Sequence, residues 1–391
     1  MRTYRDLFRV PEFKPLFTVV SVQVGASTVS GLALGVLVYG ATRSPLLSAL
    51  SMFGPSFAQM IGALALLSAA DRLPPRAAMT AIALVFAAGT AALAIPGLPL
   101  WATFAIIFTL GLVASVGGGV RFGLLNEILP KDGYLLGRST LGMSVAVQQI
   151  AGYALGGLLV TLLTPALTLL TGAALYLLAA VIARVGFTAR PPRATGRPSI
   201  RETWRTNRTL WSAKPRRYLY LALWVPNGLI VGCESLFVSF DPVHAGLLFA
   251  GAALGMLAGD VTAGRFMTPY WRARLGAPLR LLLAVPYLVF FIEPPFPVAL
   301  LAVTLASVGF SASLLLQERL LALTPDHIGG QALGLQSSGL LTMQGVGAAI
   351  AGTVAQFTDP AAAMGVMAVA SVAVTLLLAP GLAAGRERVP R

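Results

Sequence analysis

The chain has 391 residues, of which 57% are hydrophobic and only 11% charged, with a formal net charge of +14. A soluble domain carries about 25% charged residues, so this composition and a mean hydropathy of +0.81 exclude an ordinary globular protein. The positive charge does not imply nucleic acid, because it is spread over alternate loops and not gathered on one basic face.

A membrane-spanning helix needs about 20 mainly apolar residues. In chain order the apolar stretches predict twelve spans, near 16–41, 45–69, 77–95, 99–120, 139–162, 166–186, 218–240, 243–264, 279–292, 297–317, 333–357 and 361–380. The charged start runs to Lys14, and the apolar stretch after it is too long for a signal-peptide core, so it is expected to remain as span 1. Span 9 is short and contains Pro286. The loops 96–99, 163–165, 241–242, 293–297 and 358–360 are tiny and leave no room for an external domain. Between spans 6 and 7 lies TARPPRATGRPSIRETWRTNRTLWSAKPRR (188–217), basic and rich in Pro and Arg, which reads as a linker and not a folded module. Trp204 and Trp211, seven apart in it, leave two readings open: a short amphipathic helix on the membrane surface, or a disordered linker. Cys233 is the only cysteine, so no intramolecular disulfide can form, and inside span 7 it reads as a small packing residue.

Of the 28 Lys and Arg residues, only Arg43 falls on the outer side of this topology. The rest lie in the N-terminus, the 2–3, 4–5, 6–7, 8–9 and 10–11 connections and the tail. Positive charge marks the cytoplasmic side, so both termini are expected in the cytoplasm of a cell inner-membrane protein, with the basic loops near anionic headgroups. A shift of 195 residues lays Pro130 on Pro325 and Gln149, Gly152 and Gly157 on Gln344, Gly347 and Gly352. The chain therefore reads as all-α and polytopic, with 12 transmembrane helices in two pseudo-symmetric six-helix bundles. The expected domains are 1–187 and 218–391, joined by the cytoplasmic linker 188–217.

This pattern resembles the major facilitator superfamily of transporters over essentially the whole chain, from Tyr4 to about Pro380. In the 2–3 loop, GALALLSAADRLPPRAAM (Gly62 to Met79) is similar to the family's G-x-L-a-D-R-x-G-R-R motif, with Asp71, Arg72 and Arg76 at its charged positions and Pro74 or Pro75 in place of the second Gly. A looser copy, GDVTAGRFMTPYWRARLG (Gly259 to Gly276), offers Asp260 and Arg265. In span 5, AVQQIAGYALGG resembles an exporter-associated Gly-Pro-Gly-Gly motif, with Tyr153 where Pro is expected. VYGATRSPLLSAL after span 1 and LLQERLLALTPDHIGGQALG around span 10 are similar to bacterial drug- or metabolite-efflux members.

The resemblance implies that spans 3, 6, 9 and 12 face lipid. Spans 3, 6 and 12 indeed contain no Asn, Gln, Asp or Glu, and span 9 has only Glu293 at its outer end, as polar groups avoid hydrocarbon. The expected substrate cavity is lined by Gln23, Ser27, Ser30, Gln148, Gln149, Tyr153, Asn227, Gln317 and Gln344. Gln23, Ser27 and Ser30 form one stripe at i, i+4 and i+7, and Asn227 sits seven residues before Glu234 on nearly the same face. Glu234 is the only acid well inside a span. Because a buried carboxylate is costly, it is expected to face water or a partner. Two readings stay open: it carries a coupling proton or holds a cationic substrate group, or it is a structural acid near the outer mouth. Asp71, Arg72, Arg76, Asp260 and Arg265 are expected to form a cytoplasmic gate, joined by Arg121 and the Glu318–Arg319 pair; the other reading of Asp71 and Arg72 is plain positive-inside charge. Gly251, Gly255 and Gly259, and Gly152 with Gly156, form small-residue packing faces.

Gly117–Gly119 is no phosphate loop, since no G-x-x-x-x-G-K-[ST] is present. With two His and one Cys, neither a metal site nor a cofactor is expected. The leading reading is a non-enzymatic secondary transporter, a monomer in the bilayer, exporting small amphipathic substrates in exchange for protons. The alternatives are a proton-coupled metabolite importer and a non-transporting receptor or scaffold. An integral-membrane enzyme would need clustered His, Asp or Cys, which are absent from the sequence.

Overall fold

A computed structural model describes residues 4–66, 73–192, 200–325 and 328–384, and among these every regular element is helical. Eleven helices are long and apolar enough to cross a membrane. The remaining span, expected as one helix over 45–69, is broken. Pro45–Phe53 and Pro55–Leu66 are separate helices, because the ring of Pro55 can neither donate to nor clear the carbonyl of Ser51, and Gly54 yields at the joint.

Proline also sets where helices begin. Pro45, Pro55, Pro75, Pro165, Pro269 and Pro360 each open one, since the first turn has no use for the N–H that proline lacks. Three two-residue loops turn where a polar side chain caps the next helix. Ser44 accepts from the Leu47 N–H at 3.2 Å, Thr164 from Leu167 at 3.2 Å, and Asp359 from Ala362 at 2.7 Å, satisfying donors that would otherwise be orphaned. Arg43, the one basic residue on the predicted outer side, follows span 1 with φ 53°, a left-handed stop usually given to glycine.

Span 9 differs from its expected 279–292. An α-helix covers Pro269–Leu282 and gives way to a 3-10 segment, Val285–Ile292. Pro286 cannot continue the i→i−4 ladder, so the chain tightens. Span 10 has its own 3-10 joint at Gly309–Ser311 between Phe296–Val308 and Ala312–Ala322. A Cβ on Gly309 would lie 2.6 Å from the Leu283 Cα, so this joint rests on the place where span 9 changes character. Span 8 ends in a π-turn, Thr262–Phe266.

The chain forms two compact units. One comprises Met1–Thr42, Gly54–Arg197 and Ala245–Ala250; the other comprises Arg43–Phe53, Pro198–His244 and Gly251–Arg391. The chain thus changes unit within span 2, at the break before Gly54. In unit 1, span 1 (Phe13–Thr42) packs on span 6 (Pro165–Gly186) and span 5 (Lys131–Leu162), and span 3 (Pro75–Leu93) packs on span 6. Its core gathers Leu7, Phe13, Leu16, Met79, Leu124 and Phe187, so the short helix Tyr4–Phe8 is anchored, with Phe8 edge-on to Phe13 at 5.3 Å. In unit 2, span 7 (Lys214–Phe240) packs on span 11 (Gly329–Phe357) and span 12 (Pro360–Ala384).

The internal repeat is realised in the packing. Gly152 faces Thr28 and Gly25 of span 1, while its repeat mate Gly347 faces Gly228 of span 7. Gly157 meets Gly246 at the start of span 8, and its mate Gly352 meets Leu46 at the start of span 2, with added Cβ atoms 3.0 and 2.6 Å from the respective Cα. Each pair is internal to its own unit. Gly251, Gly255 and Gly259 all face span 10, at Leu300, Thr304 and Val308, the close packing that small residues permit in lipid.

The linker is more ordered than a disordered reading allows. Ile200–Ser212 is a helix, and Trp211 stacks on Tyr220 and Trp224 of span 7 at 6.1 and 5.5 Å. Arg216 ties its end down, donating to the carbonyls of Leu210 at 3.1 Å, Thr209 at 2.8 Å and Leu323 at 3.1 Å.

Candidate transport site

In unit 1 the polar side chains of spans 1 and 5 come together. The hydroxyls of Ser21 and Ser144 share a buried 2.6 Å hydrogen bond, and the Gln148 Oε1 lies beside Gly25, 3.8 Å from where a Cβ would stand. Gln23, Gln148, Gln149 and Tyr153 are half-buried, and the Tyr153 ring stacks on Phe249 at 4.8 Å. The serine stripe behaves differently. Ser27 is exposed, but Ser30 is turned against Gly172 of span 6 and its buried Oγ has no partner among the described residues. Ser30, the stripe's half-buried last member, packs against span 6, while Gln23 and Ser27 of the same stripe are half-buried and exposed.

The C-terminal part of span 4 (Leu100–Ile128) and the start of span 5 hold a cluster the spacing did not reveal. The guanidinium of Arg121 lies 4.7 Å from the Phe122 ring centre and that of Arg138 lies 5.2 Å from it. One ring thus offers its negative faces to two cations, and the Arg121 Nε is buried without a hydrogen-bond partner among the described residues.

In unit 2, Asn227 is only 4% exposed. Its amide donates to the Leu223 carbonyl at 2.7 Å and to the Ser313 hydroxyl of span 10 at 3.0 Å. One donor closes back on its own helix and the other joins span 7 to span 10, so Asn227 is committed to helix packing. Gln317 and Gln344 are half-buried.

Glu234 is 7% exposed, and its Oε1 has no hydrogen-bond partner among the described residues. The expectation that it faces water or a partner is not met at that oxygen. The neighbouring Cys233 thiol donates to the Met364 carbonyl of span 12 at 3.4 Å. Tyr287, in the 3-10 part of span 9, is within electrostatic reach of Glu234; it is fully buried, and its hydroxyl is likewise unpartnered among the described residues. The acid therefore sits near a buried phenol of span 9. Tyr287 was not singled out from sequence. A lone tyrosine in an apolar run carries no periodic signal; the adjacent Pro286, which re-aims the backbone, was the available hint.

Of the expected gate, Asp71 and Arg72 lie outside the described residues. Arg76 is half-buried, with its Nε unpartnered among them. Asp260 and Arg265 are both exposed and no ion pair joins them; the π-turn between them alters their phase. Among the described residues of unit 2, Arg272 pairs with Glu318 at 3.5 Å and also donates to the Met267 and Gly264 carbonyls at 3.1 and 3.0 Å. Arg319 does not join Glu318 but donates to the Leu382 carbonyl of span 12 at 3.0 Å.

No protein-family model and no curated protein sequence matches the chain. Solved structures match it along nearly its whole length. A variant of the nucleoside transporter NupG has a TM-score of 0.81 at 13% identity, covering 95% of this chain and 99% of its own. A POT family transporter in complex with a thioalcohol-conjugated peptide has a TM-score of 0.74 at 12% identity, with 94% and 95% covered. A bacterial homologue of the human lysosomal transporter Spinster has a TM-score of 0.72 at 14% identity, with 99% and 98% covered. The fold is that of major facilitator transporters.

Proposed function

We propose that this chain, built on the major facilitator fold, is a secondary active transporter of the cell inner membrane with both termini cytoplasmic. It exports small amphipathic compounds in exchange for protons by alternating access. The bundles that carry this out are 1–187 and 218–391. The observation that carries the reading is Glu234, a carboxyl group enclosed in span 7 with one oxygen unpartnered among the described residues. An ionisable residue inside a membrane span is a functional candidate by default, and a proton-coupled carrier needs one that can gain and lose its charge. Each unit also offers half-buried polar side chains for a substrate: Gln23, Gln148, Gln149 and Tyr153 in one, Gln317 and Gln344 in the other.

A second reading, proton-coupled uptake of a polar metabolite, is favoured by the likeness to a nucleoside transporter and a peptide transporter. Vesicles separate the two. In everted membrane vesicles with an acidified interior, a labelled amphipathic cation is expected to accumulate, and a protonophore is expected to stop it. Accumulation only in right-side-out vesicles with external acid would establish uptake instead.

The gate is assigned to Asp71, Arg72 and Arg76, with Arg272–Glu318 as the ion pair on the other unit's cytoplasmic side. Arg72→Ala and Asp71→Asn are expected to lower turnover by on the order of tenfold with substrate Kd nearly unchanged, because a damaged gate slows the conformational step and not binding. Equal losses in Kd and turnover would remove both residues from the gate.

A further inference from the structure

On the predicted cytoplasmic side of unit 1, a cavity of about 330 Å³ is lined by Pro74, Arg76, Ala77, Arg184, Ala189 and Arg190. It lies between the start of span 3 and the end of span 6. Three arginines line it, and among the described residues only Arg190 has an ion pair. Arg190 pairs with Glu12 at 2.9 Å and lies 3.8 Å from Glu127. Glu12 in turn accepts from the Thr188 hydroxyl at 2.6 Å and the Thr188 N–H at 3.3 Å, so this carboxylate is engaged by the segment that follows span 6. Among the described residues Arg76 and Arg184 have no ion pair, and the buried Arg76 Nε has no partner. Two forked donors left facing one cavity are suited to the oxygens of a phosphate.

What lies next to the cavity decides the kind of phosphate. The adjoining surfaces of spans 6 and 3 are apolar and open: Val185 is 80% exposed, Val181 53% and Leu84 45%. A free phosphate would use only the guanidiniums. A phospholipid would place its phosphate among them and its acyl chains along that apolar surface.

We infer that this cavity is a binding site for the phosphodiester headgroup of an anionic phospholipid, held by Arg76 and Arg184, with Arg190 positioned by Glu12. Basic pockets on the cytoplasmic side of membrane helices are suited to such headgroups. The site is separate from the residues proposed to carry substrate and proton.

The test uses the full-length protein in detergent, with bound lipid read by native mass spectrometry and affinity by thermal shift. Phosphatidylglycerol, phosphatidylcholine, glycerol 3-phosphate and inorganic phosphate are added in turn. The wild type is expected to retain phosphatidylglycerol in preference to phosphatidylcholine. Arg76→Gln with Arg184→Gln is expected to weaken that binding by roughly tenfold or more, the effect of losing charge-assisted hydrogen bonds. Arg274→Gln, which removes a cation from the other unit, should leave the preference intact. Should the double variant fail to fold, Arg184→Gln alone changes an exposed side chain, and Arg184→Lys should restore part of the binding. Undiminished phosphatidylglycerol retention in the Gln variants overturns the proposal. So does stabilisation by glycerol 3-phosphate or inorganic phosphate equal to that by the lipid, which would make the site one for a soluble anion.

Discussion

Glu234→Gln is expected to abolish proton-driven accumulation while leaving substrate exchange or binding measurable. The amide keeps the shape of the side chain and one accepting oxygen, so the buried position in span 7 can still be filled. It cannot titrate. A bare charge at a site only 7% exposed costs several kcal/mol unless it finds a partner or water. The charged state of Glu234 therefore requires a rearrangement that the neutral state does not, and this links proton occupancy to conformation. Tyr287→Phe should displace the pH profile of transport without removing coupling, because it deletes a single hydroxyl near the acid. A Gln variant that pumps normally against a gradient would make Glu234 structural, and the coupling acid would then be sought at Asp260, Glu318 or Asp71.

Gly347→Leu is expected to abolish recovery of folded protein, or to lower its melting temperature severely. Span 11 lies directly on span 7 at this residue, where any Cβ would run into the Gly228 carbonyl. On the facing helix, a Cβ on Gly228 would come 2.5 Å from the Met343 carbonyl and one on Gly232 would come 2.6 Å from the Gly347 carbonyl. These obstacles are backbone atoms and cannot rotate away. Overpacking commonly costs 1–3 kcal/mol, and a contact of helix against helix falls at or beyond the top of that range. Gly334→Ala, in the same helix but with nothing within 4 Å of the added Cβ, is expected to be neutral or to stabilise by up to about 1 kcal/mol through helix propensity. Similar behaviour of the two variants in a thermal melt would show that helix contact at Gly347 does not limit stability.

Much of the architecture was legible because hydrocarbon imposes one requirement on the chain, a long apolar helix, and that requirement can be counted along the sequence. The Gln149, Gly152 and Gly157 repeat was legible for a related reason: glycines where backbones touch cannot be replaced freely. The break at Gly54–Pro55 and the 3-10 passage after Pro286 were visible as residues but hidden in a hydropathy window, which averages over about a helix length and ignores whether a ladder can continue. The site was less legible still. Spans 1, 4 and 7 are apolar nearly all round, so their sequence periodicity names no partner. Gln148 reaching Gly25, Asn227 spent on Ser313, and Glu234 near Tyr287 depend on how far each helix is rotated. The linker helix was half-legible: its Trp211 was noted, but the surface it meets, Tyr220 and Trp224 of span 7, was not.

That docked helix carries an optical label of its own. The indoles of Trp211 and Trp224 lie 5.5 Å apart with only 8° between their planes, and the Tyr220 ring stands 5.1 Å from Trp224. Chromophores this close do not absorb independently; their transitions mix and, where the in-plane transition directions are skewed, split into paired bands of opposite circular dichroism. With only five tryptophans in the chain, such a couplet would stand out from the background. Whether the linker is seated or lifted becomes a difference in far-ultraviolet circular dichroism, readable with no added dye and no altered residue.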